Sequence, residues 1–405
     1  MNERTTRAAS EYQAIAVLAI CGIPIGIAVG AICALFGRVL LAITDFRDTH
    51  PWQLIPFLAL AGIVIAWAYR RFGKNTGRGM GLVFDVGHGA EPEIPLRLVP
   101  LIMGGTWLTH LFGGSAGREG VAVQIGATLS HWVGRKLSIR DAGNAFLVCG
   151  MAAGFAGLFR TPLAACVFAL EVLVAGRLEY RALACSLTAS FAASMTSGAL
   201  GLEKFEVPIA DVLAITPTSL AQLAVAGVIF GLVGGAFAWC LAAAKRQASR
   251  IENPLVRIAI IGVMLSIVLL ALWQGRYAGL GTSLISAALA GDGGAGIFVW
   301  DWACKFALTV VTLAAGFQGG EVTPLFSIGA SLGVVLAGVL GLPVELVAAL
   351  GYAAVFGSAT NTLLAPILIG GEVFGFANLP AFFVVCAAGY LVNGNRSIYA
   401  GQKLV

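Results

Sequence analysis

Charge is what this chain lacks. Of its 405 residues only 11% are Asp, Glu, Lys or Arg, while 59% are hydrophobic; a soluble globular domain carries roughly a quarter charged residues. So few charges cannot cover a water-facing surface, and a mean hydropathy of +0.90 points to lipid as the solvent. Paired cysteines are missing too: the eight present stand singly in apolar context with no C-x-x-C, which reads as small buried hydrophobes. The four histidines are scattered, so neither a metal site nor a cofactor is expected. An H-E-x-x-H motif, or a nucleophile beside a base, is absent as well, which sets an enzyme aside.

What is there is apolar sequence in long runs, among them residues 15–35, 54–69, 145–175, 223–244, 258–273 and 379–392. Lipid offers no partner to a bare amide, so such runs are helices or a closed barrel. They do not alternate polar with apolar residues as barrel strands do, and the fold class is therefore an all-α polytopic membrane protein. The first run has no polar, small-residue cleavage region and is read as a retained helix. Basic residues gather at Arg70, Arg71, Lys74 and Arg78, at Lys245, Arg246, Arg250 and Arg257, and near the ends at Arg4, Arg7, Arg396 and Lys403. The positive-inside rule puts all four places, both termini included, on the cytoplasmic side. A net charge of +5 then speaks of topology and not of nucleic acid. A single transmembrane domain over 1–405 is expected, with no soluble regulatory domain.

The chain also contains itself twice. Residues 150–172 (GMAAGFAGLFRTPLAACVFALEV) set over 351–373 (GYAAVFGSATNTLLAPILIGGEV) agree at nine of 23 positions without a gap, where composition alone gives about two. I-G-A-T-L at 125–129 and I-G-A-S-L at 328–332 pair at nearly the same offset. Two repeats are expected, about 12–200 and about 217–400, with a binding site midway through the membrane where they meet. The pairing leaves open whether they are parallel or inverted.

Three glycine-rich breaks interrupt apolar sequence: GRGMGLV at 77–83, GGSAGREGV at 113–121 and GFQGGEVTP at 316–324. Each precedes a segment able to start a helix. A helix starting inside the membrane offers unpaired N–H groups and about half a positive charge, and several such tips together would hold a small anion. The alternative for each break is an ordinary surface loop. Against it, the second and third breaks stand at equivalent places in the two halves, each with a glutamate, Glu119 and Glu321. A carboxylate inside the membrane is costly and is a functional candidate by default. Helix tips favour its charged form and desolvation its protonated form, which is the minimum needed to exchange an anion for a proton.

The run Gly117, Arg118, Glu119, Gly120, Val121, followed by V-Q-I-G, resembles the G-[KR]-E-G-P signature of CLC chloride channels and transporters, with Val121 in the usual proline position. FRTPLA from Phe159, NRSIY from Asn395 and GGEVTP from Gly319 resemble adjoining family segments, so the likeness runs from about residue 15 to 400. It implies a CLC fold of two inverted-topology repeats with broken and re-entrant helices, assembled as a homodimer in the inner membrane. It makes Glu119 the gating glutamate and points Tyr399 at the bound anion. The amides around Gly120 and Val121, and around Val322 and Thr323, line the pathway.

Three departures from the chloride-type pattern resemble the family's bacterial fluoride/proton antiporters. Met80 replaces the anion-coordinating serine, Val172 stands where many exchangers carry an internal glutamate, and Glu321 replaces an apolar residue. The resemblance thus implies fluoride export in exchange for protons, with Glu119 and Glu321 handling the proton and Met80 excluding the chloride-type geometry. The alternative is a chloride/proton exchanger or chloride channel of the same family. Glu171 and Glu372, at matching places in the repeats, are read as structural carboxylates near helix ends, with a transport role the alternative.

Overall fold

The computed structural model describes residues 3–137 and 142–405, with side chains in 15–137 and 143–405; Arg4 and Arg7 of the N-terminal basic group fall outside the described side chains. The first half runs α1 (Glu3–Thr49), α2 (Pro51–Leu54), α3 (Leu58–Phe72), α4 (Met80–Gly87), α5 (Leu98–Leu111), α6 (Glu119–Gly134), α7 (Ala142–Phe159), α8 (Pro162–Glu171) and α9 (Leu183–Ala199). The second runs α10 (Pro217–Ala248), α11 (Pro254–Ala271), α12 (Thr282–Ala288), α13 (Asp301–Ala315), α14 (Val322–Leu340), α15 (Val344–Thr360), α16 (Leu364–Phe374) and α17 (Leu379–Val392). Local chemistry sets the division between them. Thr216 and Ser219 form a reciprocal capping box, and Pro217 follows the cap, which starts α10 sharply.

Five described helices are long and apolar enough to cross a bilayer: the part of α1 from Ile15, the span 51–72, α10, α11 and α14. Crossing takes about 20 residues, and α4, α8 and α16 have 8, 10 and 11. These are the broken helices of the fold, and their buried ends need partners from the protein. For α8 and α16 each half supplies the other. The Glu171 carboxylate accepts from the amides of Leu363 (2.5 Å), Leu364 (3.1 Å) and Ala365 (3.2 Å) at the start of α16. Glu372 accepts from Leu163 (3.2 Å) and Ala164 (2.8 Å) at the start of α8. The structural reading of both residues is therefore the one their contacts support.

The internal repeat has a packing reason. A Cβ on Gly126 would lie 2.0 Å from the Gly150 carbonyl oxygen, and a Cβ on Gly329 2.0 Å from that of Gly351. So α6 meets α7, and α14 meets α15, backbone against backbone, at the glycines of the matched segments. The halves are inverted. The segment leading into α6 comes from the face where Ala116 donates to Gly279 (3.2 Å) and Arg47 to the His110 carbonyl (2.9 Å). The segment leading into α14 comes from the opposite, basic face, where Arg257 donates to the Ala315 carbonyl at 3.1 Å. A short parallel pair, β1 (Val174–Ala175) with β2 (Lys403–Leu404), ties the C-terminal segment back to the first half.

Candidate functional site

Two of the glycine breaks meet directly. Gly117 donates to the Gly320 carbonyl (2.5 Å) and Gly320 returns a bond to Gly117 (2.7 Å), an antiparallel bridge between halves. Only small residues permit this approach: a Cβ on Gly117 would come within 3.0 Å of the Gly320 carbonyl, and one on Gly320 within 3.0 Å of the Gly120 amide. The bridge aligns the starts of α6 and α14, so two helix N-termini, and with them their partial positive charges, face one spot.

Glu119 occupies that spot. It is 1% exposed, and its Oε2 accepts from the Thr323 amide (3.1 Å), the Thr323 hydroxyl and the Arg118 amide (3.3 Å). Its other oxygen lies 3.6 Å from Arg118 Nε. The first residue of one half's helix is thus seated on the second residue of the other's, across a separation of 204 residues. Three donors thus converge on one carboxylate oxygen, and the cradle would fit another small anion in its place.

Beside this seat lies a cavity of about 270 Å³ that reaches the face carrying the basic clusters. Met80, Gln124, Lys245, Glu321 and Tyr399 line it. Its third helix tip belongs to α4: Gly79, at φ 55°, turns the chain so that the helix starts at Met80, and a Cβ there would meet the Gln124 amide oxygen at 3.4 Å. Glu321 is 13% exposed and has Lys245 Nζ 3.9 Å from its Oε1. Its Oε2 is 3.7 Å from where a Cβ on Gly120 would stand, which brings it against the residue next to Glu119. The two acids are neighbours at one pathway, as the repeat requires.

Tyr399 is 4% exposed, with its ring stacked on Phe84 at 5.3 Å between centroids. Its hydroxyl is buried and has no hydrogen-bond partner, and the same holds for Gln124 Oε1. A buried hydroxyl left free is costly and is what a ligand's acceptor would satisfy. The Tyr399 backbone is fixed: its amide donates to Ser397 Oγ at 3.2 Å, and Ile398 donates to the Ala359 carbonyl at 2.8 Å.

Of the residues singled out from sequence, Met80, Glu119, Gly120, Glu321, Thr323 and Tyr399 converge here, and Val322 lies between two of them at the start of α14. Among the amides expected to line the pathway, that of Thr323 aims at Glu119, but that of Val121 turns into its own helix and donates to the Arg118 carbonyl at 3.2 Å. Sequence reasoning missed Gln124, although it stands inside the G-R-E-G-V-A-V-Q string one turn and a half beyond Glu119. It also missed Phe84 under the tyrosine, and it read Lys245 only as a topological charge. Among the described residues no group of acids, histidines and cysteines is arranged to hold a metal.

A sequence model described as voltage gated chloride channel matches residues 61–394. The chain belongs to the CLC family. A "chloride/fluoride channel protein" of Pseudomonas syringae pv. tomato is 37% identical over 396 residues, 96% of this chain and 86% of that one. The crystal structure of a CLC-type fluoride/proton antiporter is 52% identical with a TM-score of 0.94, over 96% of this chain and 98% of that chain. A slow cyanobacterial Cl⁻/H⁺ antiporter, 20% identical, superposes with a TM-score of 0.81 over 94% of this chain and 96% of that one, a likeness of fold. The CLC fold expected from the G-R-E-G-V string is thus present over nearly the whole chain, and the family consists of membrane transport proteins, not typical enzymes.

Proposed function

We propose that this protein exports fluoride in exchange for protons across the bacterial inner membrane, conferring fluoride resistance. The observation that carries the reading is the Glu119 carboxylate seated on the Thr323 amide and hydroxyl, with a second acid, Glu321, at the adjoining cavity. The likeness to a fluoride/proton antiporter at 52% identity supports the choice of ion.

Protonating Glu119 cancels the charge that its three donors stabilise, so the side chain leaves and an anion can take the cradle. Deprotonation reverses the exchange. An anion there approaches the free hydroxyl of Tyr399, and Glu321 receives or passes the proton on the basic side. Fluoride holds its water tightly, so selection rests on the balance of dehydration against the site's own bonding. With Met80 at the tip of α4, no serine hydroxyl stands there to complete a chloride-type shell. Met80, Gly120, Val322, Thr323 and Tyr399 are the anion-binding set of this reading, without Val121, whose amide is spent on its own helix, and Glu119 and Glu321 are the gating and proton set.

The same reading takes residues 12–200 and 217–400 as the two repeats of one transmembrane domain. It puts both termini in the cytoplasm, since the cavity opens toward Arg78 and Lys245, and it assembles the chain as a homodimer on family likeness. Chloride exchange is the competing reading, because one relative's name includes chloride. Purified protein in liposomes decides between them: fluoride release with opposed proton movement, and little chloride release, is the expected result. Chloride release matching fluoride would overturn it.

A further inference from the structure

On the far side of Glu119 from the cavity, α13 carries a lysine with no exposed surface. Lys305 Nζ donates to the carbonyls of Gly279 (2.6 Å) and Tyr277 (3.1 Å) and to Ser115 Oγ (2.9 Å). Lys305 Nζ thus has three oxygens within hydrogen-bond reach. All three partners are neutral. Asp301, one turn earlier on the same helix, is taken up by Arg276 (2.6 Å), the Tyr277 hydroxyl (2.6 Å) and the Phe298 amide (2.8 Å). Lys305 therefore has no carboxylate of its own among the described residues. A buried amine is costly unless its hydrogen bonds are made, so these three contacts are what hold it.

Its partners tell where the lysine acts. Ser115 lies on the segment that leads to Glu119, and that segment is also held by Thr312 Oγ1 on the Ser115 amide (3.3 Å), by the Gly279 carbonyl on the Ala116 amide and by His110 Nε2 at the Ala116 carbonyl (3.0 Å). Gly281, at φ 83°, is pressed so closely that a Cβ there would meet Lys305 Cε and Ser327 Oγ, each at 2.7 Å. Ser327 is one turn along α14 from Thr323, a rise of about 6 Å, and its buried hydroxyl has no partner among the described residues. The lysine side chain and Ser327 thus pack on the same glycine, one helical turn along α14 from the residue that seats Glu119. The other ionisable groups around Lys305 are Arg47, His110, Tyr277, Arg276 and Asp301.

We propose that Lys305 is a positioning residue of the exchange cycle: through Ser115, Gly279 and Tyr277 it clamps the segment that leads to Glu119 and so holds the carboxylate on its seat. The inference rests on the exchange reading above. It is tested on the full-length protein in liposomes with K305M, K305R and S115A, measuring turnover per folded molecule and the pH dependence of fluoride/proton exchange.

For K305M the expected result is turnover lower by about tenfold or more, with the pH profile of exchange displaced because the segment before Glu119 is no longer held. K305R, which keeps N–H donors for Ser115, should hold the wild-type pH position. Wild-type turnover and an unmoved profile in K305M would overturn the assignment. So would loss of folded protein alone, with the remaining molecules behaving as wild type. If K305M does not fold, S115A is the deciding variant, since it keeps the lysine and removes the hydroxyl that ties Lys305 and Thr309 (2.9 Å) to the segment, with T309V as the control for the second bond: a several-fold loss in S115A but not in T309V supports the clamp, and unchanged turnover in S115A overturns it. A wild-type protein that exchanges no fluoride overturns the function proposed above instead.

Discussion

Glu171 and Glu372 trade helix ends: each closes the N-terminus of the short helix that carries the other. Both stand at the C-terminal ends of α8 and α16, so the two helices are locked head to tail by charge-assisted bonds. A carboxylate at a helix start is worth about 1–2 kcal/mol. Glu171→Ala and Glu372→Ala are each expected to lower the melting temperature in detergent by a few degrees and to leave the exchange ratio of the folded protein alone. An altered ratio at an unchanged melting temperature would return both residues to the transport machinery.

Glu119→Gln keeps the shape and removes the titratable group. Proton movement per fluoride is expected to fall by at least about tenfold, read with a pH electrode and a fluoride electrode on the same vesicles. Normal stoichiometry in this variant would remove Glu119 from the proton path.

Thr323→Val takes away one donor to the seated carboxylate and keeps the backbone amide. A hydrogen bond to a charged group contributes about 1.5–3 kcal/mol, so the seat weakens by roughly ten- to a hundredfold. Because the same hydroxyl serves whichever occupant holds the cradle, fluoride exchange in vesicles should fall by about tenfold or more, and unchanged exchange would remove the Thr323 hydroxyl from the site.

Tyr399→Phe removes a hydroxyl that has no hydrogen-bond partner among the described residues. Stability should stay within about 0.5 kcal/mol of wild type, while fluoride affinity falls by about three- to tenfold. Equal affinity in the two proteins would mean that the hydroxyl does not reach the ion.

Gly126→Ala and Gly329→Ala put the same methyl into the same contact of each half. Each is expected to cost about 1–3 kcal/mol by overpacking, seen as loss of monodisperse protein in size-exclusion chromatography. A large difference between the two would break the equivalence of the helix pairs.

Much of this was legible in the chain. The glycine breaks announced where helices stop, because nothing else permits backbones to approach as Gly117 and Gly320 do. The matched segments announced the two α6–α7 and α14–α15 contacts, and Glu119, Glu321, Met80 and Tyr399 stood out as charged or unusual residues within motif positions. What could not be read were pairings set by three-dimensional closure. Lys305 finds its oxygen partner Ser115 across 190 residues, and no local pattern encodes that meeting. Lys245 looked like one member of a basic group until α10 delivered it to Glu321. Val121 shows the converse error: motif position suggested a free amide, but the first turn of a helix spends that N–H on its own chain.

The paired hydrogen bonds between Gly117 and Gly320 constrain how such a machine can move. They stitch one half to the other beside Glu119, so the halves cannot swing apart there without breaking two backbone hydrogen bonds. In the exchange proposed above, access therefore switches through the smallest moving parts available, a glutamate side chain stepping out of its cradle and its neighbours yielding around it.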